Sequence, residues 1–185
     1  MPPSQARRKP KKGEPVFFYK PNGSYGVFCQ WYPSKFTVSS ADIEQFMMYC
    51  KAARFSDETR QRQVLNTADP SRQKRIGKKV DGFFEEYWTE VKSQVVEMGN
   101  YAKFTQDEQL KQWLLGTGDR ELVEASPRDK VWGIGFAAET EDEIRIALEH
   151  REYWGENRLG EALKAVRTRI REESNASTTE QSNAC

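Results

Sequence analysis

Between Ser40 and Phe55 no proline or glycine interrupts the chain, and Ile43, Phe46, Met47, Cys50 and Phe55 recur at spacings that draw one apolar stripe. A helix over 40–55 follows, with Ser40 as its expected N-cap and Asp42 in the first turn, where the helix dipole favours an anion. A second row, Glu44, Met48, Lys51 and Phe55, places a carboxylate and an amine on one face, roughly 10 Å apart along the axis. That is too far for a direct ion pair. Two readings are open: a solvated edge from which both groups snorkel to water, or one wall of a cleft in which they meet different parts of a single ligand.

Upstream, Val16–Tyr19 and Tyr25–Tyr32 are rich in aromatic and β-branched residues and flank Pro21-Asn22-Gly23, which predicts a hairpin or two small strands, with Phe36–Val38 as a third. Downstream, a helix is expected from Ser56 to Leu65, and another behind Asp69-Pro70, where an N-cap precedes a proline at the first helical position. The basic run Arg72–Lys79 is a solvated face or a phosphate-contacting edge. Asp81 is the expected cap of a helix whose stripe runs through Phe84, Trp88, Val91, Val95 and Met98 to Gly99. Thr105 and Glu108 have capping-box spacing before Leu110, Trp113, Leu114 and Leu115. A charged helix over 139–152 and a last one with Leu159, Ala162, Leu163, Val166 and Ile170 inside complete the pattern.

Length and composition bound this picture. A chain of 185 residues suits one domain, and ten Phe, seven Tyr and five Trp supply a core despite 31% charged residues. Residues 1–14, with Arg7-Arg8-Lys9-Pro10-Lys11-Lys12, read as a disordered basic tail, 15–172 as the folded domain, and 173–185 as a second disordered tail. The basic tail is a solvating leader or a weak nuclear-import or nucleic-acid tether. With 29 basic against 28 acidic residues there is no global case for a polyanion partner. Three widely spaced cysteines argue against a disulfide framework or a zinc site and fit a reducing compartment. Without a long apolar run, an intracellular protein with no membrane partner is expected, in the cytoplasm or the nucleus. A lone histidine, His150, excludes the usual serine and cysteine triads, so proton and nucleophile chemistry falls to Lys, Asp, Glu or Tyr.

One stretch has no periodicity at all. Gly116-Thr117-Gly118-Asp119, Leu122–Pro127, Asp129 and Trp132-Gly133-Ile134-Gly135 gather small residues, carboxylates and an indole, a composition typical of functional loops. The paired glycines are not dinucleotide fingerprints, since neither pair lies at a strand-to-helix turn with a third glycine.

In order and spacing, Glu44-Gln45, Lys51-Ala52, Phe55, Lys103-Phe104, Thr117-Gly118-Asp119, Leu122–Pro127, Asp129, Trp132–Gly135 and Trp154-Gly155-x-Asn157-x-Leu159-Gly160 resemble the NADAR, or YbiA-like, family over about residues 16–171. The resemblance implies an α+β, helix-dominated single domain with a small β element. It also implies an N-glycosidase that cleaves a bond between ribose C1 and nitrogen, acting either on ADP-ribose attached to guanine bases of nucleic acid or on ribosylamino intermediates of riboflavin synthesis. A non-catalytic NAD or ADP-ribose binding module is a third reading. The chain departs from the family pattern at Phe28-Cys29-Gln30-Trp31, where relatives often carry Phe-Ser-Asn-Phe, and in an acidic insert at 138–152 that reads as a lid.

On that resemblance Lys51 is the functional lysine and Glu44 the functional glutamate. An amine can attack ribose C1, expel the base nitrogen and hold the sugar as a Schiff base until water releases it. Asp129 or Glu44 would protonate the departing nitrogen; in the first case Glu44 would instead hold the ribose hydroxyls. Trp132 and Trp88 are expected to stack on the ligand, Gly133, Gly135 and Asn157 to receive a diphosphate, and Arg54 and Lys103 to offer positive charge. The implied substrate is ADP-ribosylated nucleic acid, the product ADP-ribose; no cofactor or metal is called for, and the protein is expected to be a monomer.

Overall fold

The computed structural model describes residues 13–34, Phe36 and 42–183, the last seven of these by backbone alone. β1 (Val16–Phe18) pairs in parallel with β2 (Leu122–Glu124), Val16 opposite Leu122 and Phe18 opposite Glu124. Between the two strands run a 3-10 turn (Gly26–Phe28), α1 (Ile43–Arg54), α2 (Glu58–Leu65), α3 (Pro70–Gly77), α4 (Glu85–Gln106) and α5 (Glu108–Leu115). α6 (Glu141–Glu149) and α7 (Arg158–Asn183) follow β2. The helix-dominated α+β class is therefore as expected, but its β element is not the expected hairpin.

A parallel pair needs a long crossover, and here five helices supply it. The segment expected as a second strand instead closes a 3-10 turn, with Tyr25 in the left-handed region (φ 54°). The true partner, Leu122–Glu124, lies in the stretch that had no periodicity, because three residues are too few to display one. Of the expected third strand, Phe36 forms a bridge and residues 37–38 lie outside the described part.

Strand alternation splits the interior in two. Val16, Phe18 and Leu122 face the main core with Phe28, Met47, Met48, Val96, Phe104, Leu114, Leu159 and Leu163. Phe17 and Val123 face a smaller cluster closed by Ile134, Ala138, Ile144 and Ala147. Glu124 shares the parity of Leu122, so the strand ends with a carboxylate pointing to the helical side.

α1 is central, packed on α2, α3 and α4, while α4 also supports α7 and α7 backs β2. Its described cap is Asp42, whose carboxylate accepts from Gln45 N at 2.8 Å; Ser40 lies outside the described residues. α4 does not stop at Gly99. There the absent side chain lets α4 approach α1, since a Cβ would stand 2.7 Å from the Phe46 ring. Asp81 does not cap α4 either; its N–H donates to Asp57, and Phe84 occupies the cap position. Asp107, rather than Thr105, caps α5 through Gln109 N and Leu110 N. Asp69 and Pro70 open α3 as read, and Thr140 with Glu143 makes a capping box for α6. α7 continues to Asn183 across residues expected to lie beyond the fold. None of the described helices is long and apolar enough to cross a membrane.

Candidate active site

A cleft of about 930 Å³ opens between α1, α4 and the loop behind β2. α1 contributes Glu44, Met48 and Lys51 of the row that spacing placed on one face, together with Met47 from the neighbouring apolar stripe, while Phe55 lies outside the lining; the row thus borders a ligand-sized space and is not a solvated edge. α4 contributes Glu85, Trp88 and Lys92 at helical spacing, and the β2 end adds Glu124, Ser126, Arg128, Asp129 and Trp132. Lys74 and Lys78 come from α3 and its end, so part of the basic run borders the cleft. A second hollow of about 620 Å³, beside Tyr25, Gln112 and Arg120, holds none of the predicted residues.

Lys51 is half-buried, and among the described residues its Nζ has no hydrogen-bond acceptor; it lies 3.7 Å from the centroid of the Phe83 ring. Burial lowers its pKa, Glu85 opposes this, and the Lys92 charge adds to it. Lys92 is itself buried, donating to Glu85 Oε1 at 3.3 Å and to Thr89 Oγ1 at 3.1 Å. A cation fixed next to the amine and a desolvating wall both favour the neutral, nucleophilic form.

The opposite end of the row is acidic. Glu44 is 3% exposed; its Oε2 accepts from Trp31 Nε1 at 3.0 Å, and its buried Oε1 has no partner among the described residues. Burial pushes its pKa up to about 7, with Lys74 and the Trp31 bond opposing, and Asp42 and Asp129 reinforcing. Glu124 has a buried Oε2, also without a partner among the described residues, and a pKa raised to about 8, first by burial and then by Asp129. Two carboxyl groups thus stand ready to carry a proton near neutral pH.

Asp129 lines the cleft but has structural work as well. Its Oδ1 accepts from Val131 N at 2.9 Å and Trp132 N at 2.8 Å, which fixes the loop carrying the Trp132 indole. Trp88 reaches the cleft from a mostly buried position.

The remaining predicted ligand groups do not border the cleft. Arg54 turns outward, 3.8 Å from Glu90. Lys103 is 1% exposed and donates to the carbonyls of Val27 at 2.7 Å and Cys29 at 3.3 Å; burial pushes its pKa down to about 7. It pins the turn that presents Gln30 and Trp31. Asn157 (φ 49°) ties β2 to α7: its Oδ1 accepts from Glu124 N at 3.0 Å and its Nδ2 donates to Leu122 O at 2.9 Å. The Gly135 N–H donates to Ser126 O, and Gly133 fits against Glu124 O, where a Cβ would lie at 2.7 Å. These three residues therefore build the scaffold behind Glu124, and the Gly135 N–H and the Asn157 side-chain amide are engaged within it. The insert does not cover the cleft as a lid would: α6 packs behind β2, and among the described residues its neighbourhood meets the rim through the Lys20–Glu139 pair at 2.9 Å.

Sequence reasoning missed Glu124, Trp31, Glu85 and Lys92 as site residues. Glu85 and Lys92 were detectable as the i−3 and i+4 neighbours of Trp88. Trp31 stood in the very tetrapeptide that departs from the family pattern.

Residues 17–171 match the model of the NADAR domain. The chain belongs to the NADAR family. N-glycosidase R617 of Acanthamoeba polyphaga mimivirus is 32% identical over 163 residues, covering 82% of this chain and 94% of that protein. Riboflavin biosynthesis protein VVA0006 of Vibrio vulnificus is 29% identical over 159 residues, which are 86% of this chain but 39% of that protein. The solution structure of Escherichia coli YbiA, a protein named N-glycosidase, superimposes with a TM-score of 0.68 at 25% identity over 88% of each chain. With relatives of that name matched along nearly their whole length, this NADAR protein is a glycosidase of the hydrolase class.

Proposed function

We propose that this NADAR protein hydrolyses the ribose C1–N bond that joins ADP-ribose to guanine bases of nucleic acid, through a Schiff base on Lys51. The observation that carries the reading is the pairing, across one cleft, of a desolvated amine without a hydrogen-bond acceptor among the described residues and two buried carboxyls that hold protons near neutrality.

The neutral Lys51 amine attacks C1 as Glu44 or Glu124 gives its proton to the departing base nitrogen. Loss of the amine proton and opening of the sugar ring leave an iminium between Lys51 and C1. Water adds to that carbon, the resulting carboxylate takes a proton from it, and the free amine and the sugar hemiacetal are restored. The separation of roughly 10 Å between Lys51 and Glu44 along α1 spans a sugar and part of its base or phosphate arm. Trp132 offers a stacking face, and Lys74, Lys78 and Arg128 offer charge to phosphates.

The name of VVA0006 supports a second reading, in which the substrate is a ribosylamino intermediate of riboflavin synthesis. A binding module without catalysis is a third; an amine without an acceptor among the described residues, sharing one cleft with two proton-bearing carboxyls, weighs against it. Incubation with an oligonucleotide carrying ADP-ribosylated guanine is expected to release unmodified oligonucleotide and ADP-ribose, at a rate that falls with salt. Turnover of the riboflavin intermediates with no release from the oligonucleotide would replace the first reading by the second. Binding of ADP-ribose without turnover of either would leave the third.

A further inference from the structure

Beside the cleft, at the start of α4, stand aromatic rings for which the hydrolytic scheme has no use. Phe84 and Tyr87 are 51% and 54% exposed, although rings of this size bury well when a core is available to them. Their centroids are 5.1 Å apart. Phe83, packed on Phe55 at 5.4 Å, precedes them in sequence, and the Lys51 amine lies 3.7 Å from the centroid of its ring. On α4, Glu85, Trp88 and Lys92 line the cleft; Phe84, the cap residue, directly precedes Glu85, and Tyr87 lies roughly 100° around the helix from Trp88, so both rings stand beside the lining and not in it. The rings thus flank the Lys51 end of the cleft, outside its lining.

Charge around them is asymmetric in a useful way. Lys74 and Lys78 border the cleft, and Lys79 follows in the exposed link toward the rings. On α4, Glu85 is held by Lys92 and Glu90 faces Arg54. Glu86 and Asp81 stay exposed near the rings, so a phosphate chain is favoured along the lysines, with only bases directed to the helix start.

We infer that Phe84 and Tyr87 form a stacking platform for a base that neighbours the modified guanine on a single strand, while Lys74 and Lys78 carry the intervening phosphates. The inference rests on the nucleic-acid reading proposed above and sharpens it to single-stranded substrate. Any base has a face that stacks on such rings, so the platform is tolerant of sequence. In a duplex those faces are already covered by neighbouring base pairs. An apolar protein partner would gain nothing from the lysine rim, and a free nucleotide filling the cleft would not extend to the rings.

The test uses fluorescence anisotropy with a short, labelled, unmodified single-stranded oligonucleotide and its duplex, on the full chain, on the double variant Phe84→Ala/Tyr87→Ala and on Phe84→Trp. The unaltered protein is expected to prefer the single strand, the double variant to lose at least about tenfold in affinity, and Phe84→Trp to retain it. Circular dichroism is expected to be the same for all, because both side chains are exposed. Cleavage of an ADP-ribosylated guanine nucleoside, which has no neighbouring base, is expected to be unchanged in the double variant. Equal binding by unaltered and doubly substituted protein overturns the platform, as does equal preference for duplex. Self-association that sedimentation detects and the double variant abolishes also overturns it, assigning the rings to a second copy of the chain. Ring-dependent binding without any cleavage keeps the platform and refutes the hydrolase reading.

Discussion

Glu44 gives the sharpest quantitative prediction. Its carboxyl lies in the folded protein at a pKa of about 7 against 4.5 for the free side chain. A raised acid pKa means that ionising the group opposes folding: the folded state is favoured most below the unfolded value and loses stability as pH rises through the folded one. The shift of 2.5 units, at about 1.4 kcal/mol each, amounts to roughly 3 kcal/mol lost between pH 4.5 and pH 9. Glu44→Gln removes that loss while leaving a carbonyl oxygen to accept from Trp31 Nε1. The buried amide carries its own cost, on the order of 1–3 kcal/mol, but that cost does not change with pH. Chemical denaturation of both proteins at several pH values therefore isolates the charge. The stability of Glu44→Gln relative to the unaltered protein is expected to rise by about 3 kcal/mol from pH 4.5 to 9, equivalent to about 6–12 °C in melting temperature for a domain of this size. Turnover is expected to fall by about 10² to 10⁴ in the same variant. A relative stability that is flat across this range would refute the buried, unpaired carboxylate, and with it the proposed proton donor.

Three further outcomes follow from the geometry. The rate at saturating substrate is expected to fall as pH rises past about 7–8, with loss of the Glu44 or Glu124 proton; a rate still rising above pH 9 would contradict this assignment. Asn157→Ala removes both ties between β2 and α7 and places alanine at φ 49°, so a loss of about 2–4 kcal/mol is expected in urea titration, against the small change expected of an exposed ligand group. Gly160→Ala would drive a methyl group into Leu122 O and the Asn157 amide, and is expected to abolish accumulation of folded protein, read by soluble yield and circular dichroism.

The face of α1 was legible because a helix of twelve residues repeats its pattern three times, and Glu44 and Lys51 fall on it seven positions apart. Asp69-Pro70 was legible for a local reason, a cap beside a residue that fits only the first helical turn. The β element was not. Its strands are three residues each and pair across a separation of about a hundred positions, so neither alternation nor a turn signals them. Glu124 went unassigned for that reason, since its direction follows from a strand parity that the sequence hides. Lys103 and Asn157 failed in the opposite way. Both are polar residues inside recognisable motifs, yet backbone groups of Val27, Cys29, Leu122 and Glu124 consume their hydrogen bonds. A motif records that such side chains are needed and does not distinguish touching the ligand from holding the residue that does.

The central claim is that Lys51 forms a covalent bond to ribose C1. Borohydride reduction during turnover of an oligonucleotide bearing ADP-ribosylated guanine, followed by intact mass and peptide mapping, tests it directly. The account predicts an ADP-ribose adduct on Lys51, absent from a folded Lys51→Ala variant that releases no oligonucleotide. Release of oligonucleotide at an undiminished rate by Lys51→Ala, or an adduct mapped to another lysine, would contradict it.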